Sequence, residues 1–152
     1  MTLVLTSCGG FLLAVLWMDL IFDSQVLAHR QSVEQLPEPI LASIAGYYHR
    51  AATTSRPMSR LIALVMAILL AALGFRAALG DDPGWLLAVA AALAGVPILL
   101  AMIRTVPNAV RLGKRVDTAA VQTRLARSIF TDHVLCFVSI VGFLALWLAQ
   151  AA

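Results

Sequence analysis

Charged side chains are scarce in this chain of 152 residues: 12% are Asp, Glu, Lys or Arg, whereas 61% are hydrophobic. A soluble domain contains about 25% charged and about 45–50% apolar residues. The mean hydropathy of +0.91 departs from that composition in the same direction. The shortage of charge therefore predicts a protein of the lipid bilayer, and the length predicts a single domain over residues 1–152.

Cysteine is also rare, because the chain contains only Cys8 and Cys136. Each lies in an apolar run, and neither belongs to a CxxC or Cys/His zinc spacing, which excludes a disulfide framework and a zinc finger. We interpret both as small buried hydrophobic side chains.

Familiar catalytic and binding motifs are missing as well. The sequence has no nucleotide-binding loop, no HExxH and no nucleophile elbow. A basic stripe with interleaved aromatic residues is lacking too, so we expect no binding of nucleic acid. Any chemistry must therefore come from polar residues within or beside the apolar segments.

Four apolar stretches dominate the chain, and each matches the roughly 20 helical residues that cross a hydrocarbon core. They cover about residues 3–22, 60–79, 84–103 and 128–149. We predict an all-α membrane protein whose four transmembrane helices form an antiparallel bundle, with the lipid bilayer as its first partner.

The distribution of basic residues predicts the orientation. Ten of the eleven Lys and Arg residues lie in or beside the first and last loops, including Arg30, whereas the middle turn GDDPG has none. Cytoplasmic loops are enriched in Lys and Arg. We attribute the excess of Arg over Lys to a GC-rich bacterial genome. We therefore predict a bacterial inner-membrane protein with both termini on the outer face, and Arg76 reaching outward toward Asp81 or Asp82.

The first cytoplasmic loop contains EPILASIAGYYHR, residues 38–50. Pro39 suits the first turn of a helix, and an apolar stripe follows at helical spacing. Its members are Ile40, Leu41, Ile44, Tyr47 and Tyr48. The pattern predicts a short interfacial helix at the membrane surface.

Further features of the last two spans suit helix packing. Asp117 is the expected N-cap of a helix that runs into the fourth span. The pairs Ala88/Ala92 and Ala91/Gly95 would let neighbouring helices approach closely. We expect the indole rings of Trp85 and Trp147 at the outer membrane interface.

Ionisable and polar residues from three spans fall at one predicted depth, near the cytoplasmic ends. A charge at the centre of a span costs about 2.5–3.5 kcal/mol and less near an interface, so embedded charges should face the bundle interior or one another. The fourth span contributes the adjacent pair Asp132 and His133, and the first contributes Asp19 and Asp23 on one helix face. The candidate site comprises Asp19, Asp23, Arg104, Asn108, Arg127, Asp132 and His133.

Two stretches carry a resemblance to a known family. VPNAVRL at 106–112 and ARSIFTDHVL at 126–135 resemble the anthrone-oxygenase-like family of small four-helix membrane proteins. The last helix has Phe130, Asp132 and His133 where that family has an aromatic, Asn and Arg signature. The resemblance therefore implies a fold rather than an activity.

The polar layer favours an enzyme-like hypothesis. Asp132 and His133 would transfer protons, with Asp19 as their partner. Asp23, Arg104, Asn108 and Arg127 would bind a lipophilic or quinone-like substrate. A haem or metal cofactor is left open, but one embedded histidine is too few to assign metal ligands.

Two other hypotheses are kept. A non-catalytic membrane subunit would assemble with itself or with a larger complex, and its charged layer would be structural. A small transporter is less favoured, because four helices form a thin scaffold for alternating access.

The orientation can be tested with reporter fusions. We expect a periplasmic reporter to be active when fused after Gly80 and inactive when fused within either large loop, because basic loops stay in the cytoplasm. A cytoplasmic reporter should give the reverse pattern. A GDDPG turn found in the cytoplasm would contradict the predicted orientation.

Overall fold

The computed structural model describes residues 1–29, 35–80 and 82–150, the side chains of residues 52, 53 and 56 excepted, and within these ranges it contains helices and no strand. The α-helices are α1 (Thr2–Asp23), α2 (Glu38–His49), α3 (Arg56–Leu79), α4 (Gly84–Leu100), α5 (Val106–Lys114) and α6 (Ala119–Ala149). Among the described residues, four segments are long and apolar enough to cross a membrane: Thr2–His29, Pro57–Leu79, Gly84–Lys114 and Ala119–Ala149. The chain therefore has the helices of a multi-pass membrane protein.

The last two spans are longer than the sequence predicts. The third continues from α4 through a π-helical turn, Ala101–Thr105, into α5. Pro107 lacks an N–H, so it cannot supply the usual hydrogen bond to residue 103. The N–H of Val106 instead bonds to the carbonyl of Ala101, five residues back. A π-turn of this kind is common at functional sites, and here it carries Arg104 and Thr105.

The expected N-cap of α6 is wrong by one residue. Thr118, rather than Asp117, has the extended backbone of a cap, and its side chain accepts a hydrogen bond from the N–H of Val121 at 3.5 Å. The Asp117 carboxylate is bonded to the guanidinium of Arg111, at 2.7 and 2.8 Å. The hydrogen bond from Arg111 lowers the pKa of Asp117.

Two groups of buried apolar side chains hold the helices together. One group joins α1, α3, α4 and α6, and its largest members are Leu5, Leu69, Leu86, Phe143 and Trp147. The other joins α2, α5 and the first turns of α6, and it includes Leu41, Ile44, Leu112 and Ile129. The apolar stripe of α2 thus packs partly against protein. Its interfacial position in the membrane stays a prediction.

The helix pairing brings distant parts of the sequence together. Near the start of α1, a Cβ at Gly9 would lie 2.8 Å from Leu144, close to the end of α6. At the end of α1, Asp23 meets His133. On α4, the buried alanines are Ala90 and Ala94. The expected pairs Ala88/Ala92 and Ala91/Gly95 lie on other faces, since Leu86, Ala90 and Ala94 share one stripe at helical spacing.

A second polar group lies near the end of α1 that is opposite to Asp23. Arg76 donates to both oxygens of Asp82 and to the hydroxyl of Thr2, and its guanidinium lies 4.9 Å from the centre of the Trp147 ring. The hydrogen bond from Arg76 lowers the pKa of Asp82. The indole of Trp147 is 1% exposed because it packs beneath this arginine. Its position at the outer membrane interface stays a prediction. Asp81 and Arg30 lie outside the described residues.

Replacing Gly113 with alanine should destabilise the protein. A Cβ at Gly113 would lie 2.8 Å from the backbone nitrogen of His49 and 3.0 Å from its Cα, so α2 would have to move away from α5. Overpacking of this kind costs about 1–3 kcal/mol. Thermal unfolding in detergent would measure the loss.

Gly74→Ala in α3 is the matched control, because a Cβ there has no neighbour within 4 Å. We expect the control to unfold at the temperature of the wild type or slightly above it. Equal stability of both variants would show that α2 does not pack closely on α5.

Candidate functional site

A buried carboxylate, Asp23, lies at the centre of the polar cluster. The residue is 0% exposed and ends α1. Its Oδ1 accepts a hydrogen bond from the Tyr48 hydroxyl at 2.7 Å, and its Oδ2 lies 2.6 Å from Nδ1 of His133. Because an ionised carboxylate only accepts, the hydrogen in the second contact belongs to Nδ1. Asp23 therefore joins α1 to α2 and α6.

The contact with Asp23 orients the imidazole of His133, which is 8% exposed. With Nδ1 directed at Asp23, Nε2 lies 3.8 Å from Oδ2 of Asp19. That separation is too long for a hydrogen bond. Nε2 is an acceptor when the ring is neutral and a donor when it is protonated. A carboxylate that holds one ring nitrogen and leaves the other for a ligand is the arrangement found in acid–base catalysis.

Asp19 is positioned by an aromatic pair. Its Oδ1 accepts a hydrogen bond from the Tyr47 hydroxyl at 2.7 Å. The Tyr47 ring is stacked on Phe22, with centroids 4.1 Å apart and an interplanar angle of 11°. Asp19 is thus held through one oxygen, and its other oxygen faces His133.

Asp132 belongs to a neighbouring pair rather than to this cluster. Its side chain is 3% exposed and lies 3.2 Å from the Arg104 guanidinium and 3.2 Å from the Thr105 hydroxyl, which donates to it. Arg104 is 51% exposed and also donates to the hydroxyl of Ser128 at 2.9 Å. The pair ties the π-turn to α6.

The remaining predicted residues lie apart. Arg127 donates to the carbonyl of His29 at 3.4 Å and lines a shallow depression beside Phe130. It precedes His133 by six positions, which puts the two side chains about 120° apart around α6. Asn108 is half-buried on α5, whereas the neighbouring Thr105 and Ala109 line the cavity described next.

A cleft extends from the cluster between α3 and the α4–α5 segment. Its inner part has a volume of about 140 Å³ and its outer part about 430 Å³. Seven residues line both parts: Asp19, Ile62, Met66, Ala101, Thr105, Val106 and His133. The inner end is apolar, with Leu12, Cys136 and Ile140, and exposed Met102 lies at the outer part. The cleft is therefore an apolar slot with one polar wall.

Tyr47, Tyr48, Thr105 and Ser128 did not enter the predicted site. From the sequence, both tyrosines are expected on the apolar stripe of a surface helix. The sequence contains a feature that indicates their role, because a buried tyrosine hydroxyl needs a hydrogen-bond partner. Two adjacent tyrosines on a stripe of Ile and Leu thus point to acceptors on another helix.

Tyr48 is held as a neutral donor. Burial, followed by the negative charge of Asp23, raises the pKa of the Tyr48 phenol well above its ordinary value. Burial and the nearby Asp19 raise the pKa of Tyr47 in the same direction. Both hydroxyls therefore keep their protons at neutral pH.

Within the described ranges, no three His, Cys, Asp or Glu side chains converge in a way that could hold a metal ion.

No family model, no curated protein and no solved structure matches the chain. The resemblance to the anthrone-oxygenase-like family therefore rests on the two sequence stretches alone, and the site must be argued from its own geometry.

The two tyrosines of the chain, Tyr47 and Tyr48, provide a direct test of the cluster. An ordinary tyrosine titrates near pH 10. In the folded protein we expect little tyrosinate absorbance at that pH, because both phenols are buried beside carboxylates. Unfolding at the same pH should release the full signal.

The same shift predicts how stability depends on pH. Below about pH 10 the two tyrosine hydroxyls keep their protons in the folded and in the unfolded protein. Above that pH the hydroxyls ionise only in the unfolded chain, so the free energy of unfolding should fall as the pH rises further. A folded-state midpoint at the ordinary value would contradict the bonding of both hydroxyls.

Proposed function

We propose that this chain is a small integral membrane protein that binds one lipophilic molecule in the cleft between α3 and the α4–α5 segment. The observation that carries the proposal is the composition of the cleft: an apolar slot that ends at Asp19, His133 and Tyr48. Pockets for small molecules combine an apolar lining with a few converging polar groups in this way.

We propose further that the four long helices cross a bacterial inner membrane as an antiparallel bundle, with α2 at the cytoplasmic interface and both termini outside. Asp19 follows Thr2 by 17 positions, which corresponds to about 26 Å along α1. In a hydrocarbon core about 30 Å thick, the polar wall would then lie at the cytoplasmic leaflet. A ligand would enter sideways from that leaflet.

His133 is the proposed acid–base group, with Asp23 as its positioning residue and Asp19 as its partner across the cleft. A quinone-like ring is one ligand that suits this wall, since a protonated Nε2 would donate to its carbonyl. Asp132 and Arg104 do not line the cleft. Their proposed role is to hold the π-turn that forms one side of it.

A second candidate is a non-catalytic subunit that assembles with copies of itself or with a larger membrane complex. The bonding of Asp23 favours it, because a fully buried carboxylate that joins three helices is also a structural tie. Removing one partner of such a tie leaves a buried group unsatisfied and costs about 1–3 kcal/mol.

Filling the cleft should weaken binding of the lipophilic molecule. Ala63 lines the outer part of the cleft on α3, so a tryptophan there would occupy the space of the ligand. We expect Ala63→Trp to retain about tenfold less of any co-purified lipophilic molecule than the wild type. Native mass spectrometry after mild detergent extraction would measure it.

Ala67→Trp is the matched control, because Ala67 is an exposed residue of the same helix and does not line the cleft. We expect it to retain the molecule at the level of the wild type. If both variants retain it equally, or if no molecule accompanies the wild type and none can be added back, the second candidate is preferred.

A further inference from the structure

The charges around the cleft indicate which lipophilic molecule it takes. Among the described residues that line it, the ionisable side chains are those of Asp19, His133, Tyr48 and Cys136, and none is Lys or Arg. Arg104, which was expected to bind the substrate, is instead paired with Asp132. An anionic ligand would thus meet the Asp19 carboxylate with no Lys or Arg on the cleft wall.

The facing atoms have the spacing of a two-acceptor site. Oδ2 of Asp19 and Nε2 of His133 are 3.8 Å apart, so a nitrogen between them could lie about 2.8 Å from each. The other atoms of both side chains are already bonded, to Tyr47 and to Asp23. When His133 is neutral, Nε2 offers a lone pair, and the site then has two acceptors, one of them a carboxylate oxygen that has no cationic partner in the cluster.

We propose that the cleft binds an amphiphilic amine, with its ammonium between Asp19 and His133 and its apolar tail in the slot. The inference rests on the proposed function, whose ligand class it specifies. A protonated amine supplies the donors that both atoms need, and its charge is attracted to Asp19. Lipophilic cations of this kind reach the inner leaflet by partitioning into the bilayer.

Binding of the ammonium is coupled to loss of a proton from His133. An imidazolium and an ammonium within about 4 Å repel each other strongly at low dielectric. On binding, the Nε2–H bond breaks, its proton passes to water, and Nε2 accepts a hydrogen bond from the ligand. The cluster carries the same net charge before and after, since the ammonium replaces the imidazolium.

The other charges near the imidazole leave this exchange intact. Asp19 and Asp23 approach it from α1, and Asp132, its neighbour on α6, is paired with Arg104. Tyr48 from α2 is a neutral donor, and Thr105 carries no charge. Cys136 lies one helical turn along α6 and contacts the carbonyl of Pro97 through its thiol.

Three probes with one skeleton separate charge from hydrophobicity: phenylbutylamine, phenylbutanol and phenylbutyrate. Isothermal titration calorimetry on the full chain in nanodiscs would measure their affinities. We expect the amine to bind at least about tenfold more tightly than the alcohol, and the acid most weakly. Repeating the amine titration at about pH 6 in buffers of different ionisation enthalpy should show release of about one proton.

Variants test separately the contribution of Asp19 to amine binding and that of His133 to proton release. Asp19→Asn should weaken amine binding about tenfold and leave alcohol binding within about threefold, which also shows that the cleft is intact. His133→Gln should abolish the proton release. Asp117→Asn removes a carboxylate outside the cleft and is the control expected to match the wild type in both measurements.

The outcomes separate this inference from the proposed function. If the alcohol or a quinone analogue binds as tightly as the amine, or if Asp19→Asn changes nothing, the amine is the wrong ligand class but the lipophilic cleft stands. If none of the probes binds the wild type, the cleft is not a binding site and both proposals fail. Binding of the amine without proton release would overturn the exchange at His133.

Discussion

The buried carboxylate of Asp23 is the constraint on which the polar end of this protein depends. A charge that is removed from water must find donors within the protein. Asp23 finds them on two other helices, in the hydroxyl of Tyr48 and the Nδ1 of His133. These bonds orient the imidazole, and they also draw α2 against the end of α1 and the middle of α6. The need of the Asp23 carboxylate for donors thus both positions the imidazole of His133 and docks α2.

Charged side chains are paired differently near the two ends of α1. At one end, Arg76 donates to Asp82 and Thr2 and lies over the ring of Trp147. At the other end, the described acids Asp19, Asp23 and Asp132 pair with His133 and Arg104. A cleft runs along Asp19 and His133. The ion pair of Arg76 and Asp82, whose hydrogen-bonding groups are satisfied within the protein, is structural. An incompletely paired carboxylate beside an apolar slot leaves capacity for a ligand, and this asymmetry is why the proposed site lies at one end only.

The π-turn between α4 and α5 forms part of the cleft wall. Pro107 interrupts the regular hydrogen bonding, and the wider turn carries Thr105 and Ala101 into the cleft wall while Arg104 reaches Asp132. A structural role for Asp132 and Arg104 and a binding role for Asp19 and His133 are therefore compatible. The Asp132–Arg104 pair would support a wall whose shape matters for the other two residues.

Composition and hydropathy by themselves determined that the chain has four long apolar helices, because a bilayer core requires about 20 apolar residues in each span. The spacing of Asp19 and Asp23, and their depth relative to His133, were also readable, since helix geometry is regular. Only the tertiary structure decided which partner each charge takes. Rotation of one helix against another is set by side-chain packing, so it separated Arg127 and Asn108 from the cluster, assigned Arg104 to Asp132 and buried Trp147. The same packing turned Tyr47 and Tyr48 inward, because their hydroxyls are the donors that Asp19 and Asp23 lack within their own helix.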